Sequence, residues 1–230
     1  MPAQALILAA GRGERMRPLT DRTPKPLLPV NGRPMIEWHL SALAEGGVRE
    51  VVINTAWLEE LFPAALGDGT RFGLRLHYSR EGRDHGAALE TAGGIAKALP
   101  LLDRAFWVVA GDVFLPGFAF EATALERFAG SPRLAHLWLV PNAPHHPRGD
   151  FALDADGQVR VDGPARLTWA SVGLFRAELF AGIAVGTRLP LRPLLDRAID
   201  EGRLSAERWT GRWTDVGTPE RLASLEAGET

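Results

Sequence analysis

One stretch constrains this chain more than any other. A short apolar run, residues 5–10, passes without a break into Gly11-Arg12-Gly13-Glu14-Arg15-Met16-Arg17. Six apolar residues bounded by glycine read as a buried strand. Glycines placed directly after it let the backbone approach a phosphate with no Cβ in the way, and their amides can donate to its oxygens. Arg12, Arg15 and Arg17 add cations within the same loop, and guanidinium forks suit phosphate oxygens. Two familiar phosphate loops fail on detail. A P-loop ends in Gly-Lys-Ser/Thr, which is absent here. A dinucleotide fingerprint needs Gly or Ala where Met16 stands, and Pro18 interrupts the helix that would carry a pyrophosphate. Taken alone, the loop fits a phosphate cradle and a merely geometric strand-to-helix turn equally well.

Beyond the loop, strand and helix patterns alternate. Residues 34–45 have helical spacing, with Pro34 suited to the first turn and Gly46-Gly47 to a stop. The spacing then predicts a strand at 50–54, a helix at 57–66, a strand at 74–78, a helix at 91–99 ended by Pro100, and a strand at 106–110 running into Gly111-Asp112. Crossovers of this length imply a mostly parallel sheet with ligands beyond the carboxyl ends of its strands. Gly11, Asn54-Thr55 and Gly111-Asp112 all stand at such ends. The second half is less regular, with strands expected at 134–140, 150–153, 168–175 and 213–216, a helix at 191–201, and a capped helix at 218–225. The expected fold is a single α/β domain over 1–230, with a nucleotide half near 1–115 and an acceptor half near 116–230.

Composition narrows the function. The 230 residues carry a formal net charge of −2, which argues against a general nucleic-acid binder with a broad basic face. An anionic ligand must be held by a few placed cations and amides. The absence of cysteine excludes disulfides, thiolate zinc sites and cysteine nucleophiles, and fits a reducing cytoplasm. MPAQALILAA has no charged n-region and runs into the loop, so it is expected to be a first strand rather than a leader. No apolar run approaches the ~20 residues that span a bilayer.

Lys25 lies between Pro24 and Pro26 in Thr23-Pro24-Lys25-Pro26. Proline fixes its own φ and restricts the residue before it, so the lysine is expected on an extended, stiff segment. Such bracing suits a lysine aimed at phosphate, although a lysine between prolines is commonly only a loop. Asp112 follows a strongly apolar strand and Asp215 follows Trp213-Thr214, each at an expected strand exit. Together they suit Mg²⁺, which takes one or two carboxylates plus phosphate oxygens and water. A turn role for Asp112 and a capping role for Asp215 are the alternatives. His145-His146 lack a partner set in the sequence and are expected to be solvated or to touch a ligand.

The stretch LILAAGRGERMRPLTDRTPKPLLPV resembles the signature of the sugar-phosphate nucleotidyltransferases, through Leu8, Ala9, Gly11, Gly13, Arg15, Pro18, Leu19, Thr20, Pro24, Lys25 and Pro26; Ala10 and Met16 depart from it. The later Gly111-Asp112 and Trp213-Thr214-Asp215-Val216-Gly217-Thr218-Pro219 are similar to that family's two metal-binding motifs. The resemblance implies a Rossmann-like three-layer αβα sandwich with a mixed, mostly parallel sheet. It implies that Leu8, Ala9, Ala10, Gly11 and Gly13 line the nucleotide, that Arg15 holds the triphosphate, and that Lys25 neutralises charge near the α-phosphate. It further implies that Asp112 and Asp215 bind Mg²⁺. Asn54, Glu81, Thr91, Ala92 and Gly93 fall where the family meets the base, and Gly149, Asp150 and Ser171 where it meets the sugar.

Within the family, RPMIEWHLSALAEGGVREVVINTAWL, LETAGGIAKALPLL, NAPHHPRGDF and WTDVGTPERLA are similar to the N-acetylmuramate α-1-phosphate uridylyltransferases of cell-wall recycling. Residues 83–88, which look inserted, and Ala92, where that subgroup has Gly, depart from it. The implied substrates are UTP and N-acetylmuramate 1-phosphate, with a mannose-type or heptose-type guanylyltransferase, or a glucose-1-phosphate thymidylyl- or uridylyltransferase, as alternatives. A non-catalytic regulatory module would not need Lys25, Asp112 and Asp215, and a dehydrogenase is disfavoured by Met16 and Pro18. Monomer and weak homodimer both fit. Of the other side chains, Trp57, Trp169 and Trp213 could pack or stack on a sugar, and Arg148 and Arg166 could meet a lactyl carboxylate.

Overall fold

The computed structural model describes residues 3–154 and 157–227. The first half supplies β1 (Ala3–Leu8), β2 (Pro29–Val30), β3 (Arg33–Pro34), α1 (Met35–Glu45), β4 (Glu50–Thr55), α2 (Leu61–Leu66), β5 (Arg75–Arg80), α3 (Glu81–His85), α4 (Glu90–Ala98), β6 (Leu102–Ala110) and β7 (Val113–Phe114). The second half supplies α5 (Ala122–Ala129), β8 (Ala135–Val140), β9 (Phe151–Leu153), β10 (Val159–Arg160), β11 (Arg166–Arg176), α6 (Arg192–Asp200), β12 (Leu204–Arg208), β13 (Thr214–Asp215) and α7 (Pro219–Glu226).

One sheet takes strands from both halves. Along β10-β9-β11-β6-β1-β4-β5, β1 pairs parallel with β4 and β6, and β4 with β5, while β11 runs antiparallel to β6, β8 and β9 and β12 pairs parallel with β8. The parallel pairing is concentrated where periodicity placed it. After β5 the chain returns to the other side of β1, making a switch point at the carboxyl ends of β1 and β6, where such sheets open a crevice.

Both sheet faces are covered, because strand side chains alternate between them. Ile7, Ile53 and Val109 join α1 and α2 residues Leu40 and Phe62 in one cluster. Leu6, Val52 and Val108 join α4 and α6 residues Ile95 and Leu195 in another. The result is a three-layer sandwich. A third, smaller cluster unites Met16, Val30, Met35, Phe114, Val216, Leu222 and Leu225 beneath the crevice.

Several local expectations are corrected. Lys25 is not extended: Lys25–Leu27 form one 3-10 turn, with Pro26 supplying a compatible φ and Leu28 N–H bonding the Lys25 carbonyl. Pro34 precedes α1 rather than sitting in its first turn. The helix expected from residue 57 starts at Leu61, because Leu58 adopts φ 48 and ends the turn before it. The short α3, α5 and β12 escaped periodicity. Among the described residues, no helix is long and apolar enough to cross a membrane.

Candidate active site

Strand exits converge at the crevice because glycine permits close crossing. Gly111 N–H donates to the Leu8 carbonyl at 2.8 Å, and a Cβ at Gly111 would lie 3.1 Å from both that carbonyl and Pro26 Cβ. The β6 exit therefore passes against the β1 exit and the Lys25 turn. This places Lys25 Nζ 2.7 Å from Asp112 Oδ2, with Lys25 only 8% exposed.

Asp215 arrives through backbone pairing. β13 lies antiparallel to β7 with Asp215 opposite Val113, and Val216 N–H donates to the Asp112 carbonyl at 3.0 Å. Each carboxylate is held by cationic or imidazole groups. Asp215 Oδ1 accepts from Arg221 Nη1 at 2.6 Å and lies 2.8 Å from His145 Nε2; those two nitrogens are 2.6 Å apart. Asp112 Oδ1 and Asp215 Oδ2 have no partner among the described residues. Among those residues no group of three or more His, Cys, Asp or Glu is arranged to hold a metal. Among the described residues no closed cage forms, but each of the two carboxylates keeps one unpartnered oxygen and lines a cavity, Asp112 the central one and Asp215 a neighbouring one. This donor set suits Mg²⁺, whose remaining ligands come from phosphates and water.

Three cavities share walls along the crevice. The central one, about 410 Å³, is lined by Gly11, Gly13, Arg15, Lys25, Asp112 and Gly217, among others. On one side Leu8, Gly11, Arg12 and Asp112 also wall a cavity of about 420 Å³ that includes Ala10, Asn54, Glu90, Thr91 and Arg188. On the other side Arg15 also walls a cavity of about 700 Å³ with His145, Trp213, Asp215 and Arg221.

Within the loop the glycines differ. Gly13 has φ +65, and an added Cβ would lie 3.0 Å from Thr20 Cγ2, so the turn itself requires glycine. Gly11 is exposed, and a Cβ there would meet nothing within 4 Å. The fold does not need its bareness; a ligand would. Among the arginines, Arg12 is committed to the Thr20 carbonyl and Asp21 and lies 3.4 Å above the Trp57 ring. Arg17 pairs with Asp21. Arg15 makes no side-chain hydrogen bond or ion pair among the described residues, so its charge stays available to the cleft.

Leu8, Ala9, Ala10, Gly11, Gly13, Arg15, Lys25, Asn54, Thr91, Asp112 and Asp215 line one or another of these three cavities. Glu81, Ala92 and Gly93 do not. Glu81 is wholly buried and hydrogen-bonded to protein groups. Ala92 and Gly93 donate their amides to the Leu189 carbonyl at 3.0 and 3.1 Å, and a Cβ on Gly93 would strike the Thr187 carbonyl. They seat α4 against a neighbouring segment.

Gly149, Asp150 and Ser171 also lie outside the three cavities. Gly149 has φ +58 and its Cβ position is filled by Asn142 Oδ1 at 2.6 Å. Asp150 spends its carboxylate on Trp169 N–H at 2.8 Å and His146 at 3.1 Å. Ser171, with φ 59, sits where the β11 register against β8 shifts, so it is a bulge residue. Arg166 is tied to the Gly149 and Asp150 carbonyls, while Arg148 is exposed. Trp169 donates its indole to the Val172 carbonyl, and Trp213 donates to the Ala170 carbonyl while walling the largest of the three cavities. Residues 83–88 are anchored by Asp84, which pairs with Arg83 and Lys97 at 2.8 Å each.

Sequence reasoning missed Arg221. Its signal was spacing: Thr218 caps α7, accepting from Arg221 N–H, which turns the first-turn arginine back toward Asp215. His145 gained its meaning only from the fold, which sets it against Asp215.

With the geometry in hand, comparisons agree on one kind of protein. A family model described as nucleotidyl transferase matches residues 4–229. A Neisseria meningitidis protein named N-acetylmuramate alpha-1-phosphate uridylyltransferase is 50% identical over 229 residues, covering 97% of each chain. A Caulobacter vibrioides protein of the same name is 33% identical over 98% of this chain and 96% of its own. Among solved structures, a glucose-1-phosphate thymidylyltransferase candidate from Bacillus anthracis, crystallised with sucrose, superposes with a TM-score of 0.83 at 21% identity, over 98% of this chain and 94% of that one. That likeness shows the fold.

Proposed function

Because the chain belongs to the nucleotidyl transferase family, we propose that it joins UTP to N-acetylmuramate α-1-phosphate, forming UDP-N-acetylmuramate and pyrophosphate. The observation that carries this reading is the row of three wall-sharing cavities, with Lys25 and Asp112 in the middle, Arg15 on the wall shared with the largest, and Asp215 in that largest one. The base lies at the Asn54–Thr91 end, the triphosphate along Gly11, Gly13 and Arg15, and the acceptor sugar beside Trp213 and Arg221. We place the reaction in the cytoplasm, among the steps that reuse cell-wall sugars.

An oxygen of the sugar phosphate attacks the α-phosphorus of UTP, the bond from that phosphorus to the bridging β-oxygen breaks, and pyrophosphate leaves. The attacking phosphate is already ionised at neutral pH, so no general base is required. Two polyanions repel each other, and the protein's task is neutralisation and alignment. Arg15 and the loop amides hold the leaving phosphates, and Lys25 faces the α-phosphate. Asp112 and Asp215 would hold Mg²⁺, which supplies charge neutralisation and polarisation at phosphate oxygens.

Magnesium-dependent pyrophosphate release, measured over four nucleoside triphosphates and over glucose, mannose, N-acetylglucosamine and N-acetylmuramate 1-phosphates, tests the reading. UTP with N-acetylmuramate 1-phosphate is expected to give the highest kcat/KM. A tenfold preference for another pair would overturn the assigned substrates, and no release from any pair would overturn the reaction.

A further inference from the structure

At the base end of the cleft stands a buried carboxylate that the chemistry above does not use. Glu81 opens α3 at 0% exposure with both oxygens occupied. Oε1 accepts from Asn54 Nδ2 and Oε2 from Leu89 N–H, each at 2.7 Å. Asn54 Oδ1 in turn accepts from Ala9 N–H, also at 2.7 Å. The polarity of this chain of bonds is fixed. Its two ends are backbone amides, which only donate, so Asn54 must turn its oxygen to Ala9 and its nitrogen to Glu81, and Glu81 must accept twice.

Three segments that border the cleft are thus joined by one buried chain of bonds through Asn54 and Glu81: the entry to the glycine loop at Ala9, the end of β4 at Asn54, and the stretch after α3. In that stretch Ala88, Glu90 and Thr91 line the base-side cavity. Gly94 shows that space is reserved for this contact. A Cβ there would lie 2.5 Å from Glu81 Oε1 and 2.7 Å from Asn54 Nδ2. Glycine inside a helix is ordinarily a disadvantage relative to alanine, so α4 gives up helix stability to admit the carboxylate. Burial pushes the Glu81 carboxyl above its ordinary range, while its two hydrogen bonds and Lys97 favour the charged form.

We propose that Glu81 is a positioning residue for the nucleotide base: through Asn54 and Leu89 it fixes the walls of the base-side cavity without touching the base. The inference rests on reading that cavity as the base end of a nucleotidyl-transfer site.

Glu81→Gln puts an NH₂ group against a donor that cannot turn away. Calorimetric titration is expected to show the Kd for Mg-UTP raised at least tenfold, with the Kd for the sugar 1-phosphate within twofold of wild type. Steady-state kinetics should put the defect in the KM for UTP rather than in kcat. Gly94→Ala, which removes no hydrogen-bonding group, is expected to produce the same selective loss, and it serves if Glu81→Gln fails to fold. The double variant should be no worse than the weaker-binding single one, since both act on one clamp. Wild type binding UTP while both variants bind it equally well would overturn the inference. So would variants that lose UTP and sugar phosphate in equal proportion. A wild-type protein that binds no nucleoside triphosphate would instead remove the functional reading on which the inference stands.

Discussion

Gly11→Ala separates what the fold needs from what a ligand needs. An ideal Cβ at Gly11 meets no atom within 4 Å, and its φ is outside the left-handed region, so the folded chain accepts the methyl without strain. Gly→Ala at an unstrained position ordinarily adds about 0.4–1 kcal/mol by restricting the unfolded chain. The urea midpoint should therefore stay level or rise. Gly11 lies on the shared wall of the central and base-side cavities, and the methyl projects where a phosphate would approach the loop amides. Losing one amide bond to a charged phosphate is worth roughly 1.5–3 kcal/mol, so the Kd for Mg-UTP should rise by about ten- to a hundredfold. Gly13→Ala is the contrast: with φ +65 and Thr20 Cγ2 3.0 Å from the new Cβ, it should lose stability. Calorimetric UTP titration beside urea unfolding reads both quantities. Unchanged UTP affinity in stably folded Gly11→Ala would refute the placement of the triphosphate over this loop.

Burial pushes His39 down to about 4 from 6.5, against opposing pulls from the Val113 backbone and Asp112. The folded pKa is the lower one, so this contribution is complete above the unfolded value and fades as pH falls from 6.5 toward 4. Lowering pH from 7.5 to 5 should cost about 2 kcal/mol through this group, and urea unfolding of His39→Phe should lack that share of the slope; parallel slopes would count against it. Arg221→Met removes a cation from the acceptor-side cavity. The preference for N-acetylmuramate 1-phosphate over N-acetylglucosamine 1-phosphate, which lacks the lactyl carboxylate, should fall about tenfold, whereas an equal loss on both acceptors would assign Arg221 to the phosphate instead. Asp112 and Asp215 are each paired internally, so Mg²⁺ titrated calorimetrically should bind at least tenfold more tightly with a non-reactive UTP analogue present than without it. Equal affinity in both states would show that the protein alone forms the metal site.

Much of this arrangement was legible in order along the chain. Glycine after an apolar run, Lys25 in its proline bracket and two aspartates at strand exits are local patterns, and local patterns survive folding. The sheet's parallel half was legible for the same reason, since β1, the middle of β4 and β6 from Ala105 onward read as near-continuous apolar runs. The acceptor side was not. Gly149, Asp150 and Ser171 hold special backbone positions or local bonds that look functional in sequence. The residues that wall the cavity, His145 and Arg221, acquire their roles from a loop and a helix that meet only in three dimensions. Glu81 was named from the family resemblance, but only the fold shows that its carboxylate is buried and turned to Asn54 and Leu89.

The cleft is assembled by an apolar cluster as much as by its polar groups. Met16 is fully buried and joins Phe114, Val216, Leu222 and Leu225. Phe114 lies two residues beyond Asp112, Val216 one beyond Asp215, and Met16 one beyond Arg15. One small core thus fixes the spacing of the glycine loop and both carboxylates. Met16 is also where a dinucleotide-binding loop would carry a small residue and open a long helix. Replacing that helix with a single 3-10 turn over Glu14–Met16 and an apolar anchor binds the loop to the C-terminal helix instead. The central cavity is consequently walled by residues from both ends of the chain, Gly11 through Met16 and Gly217, which is the closeness that a reaction between two separately bound phosphates demands.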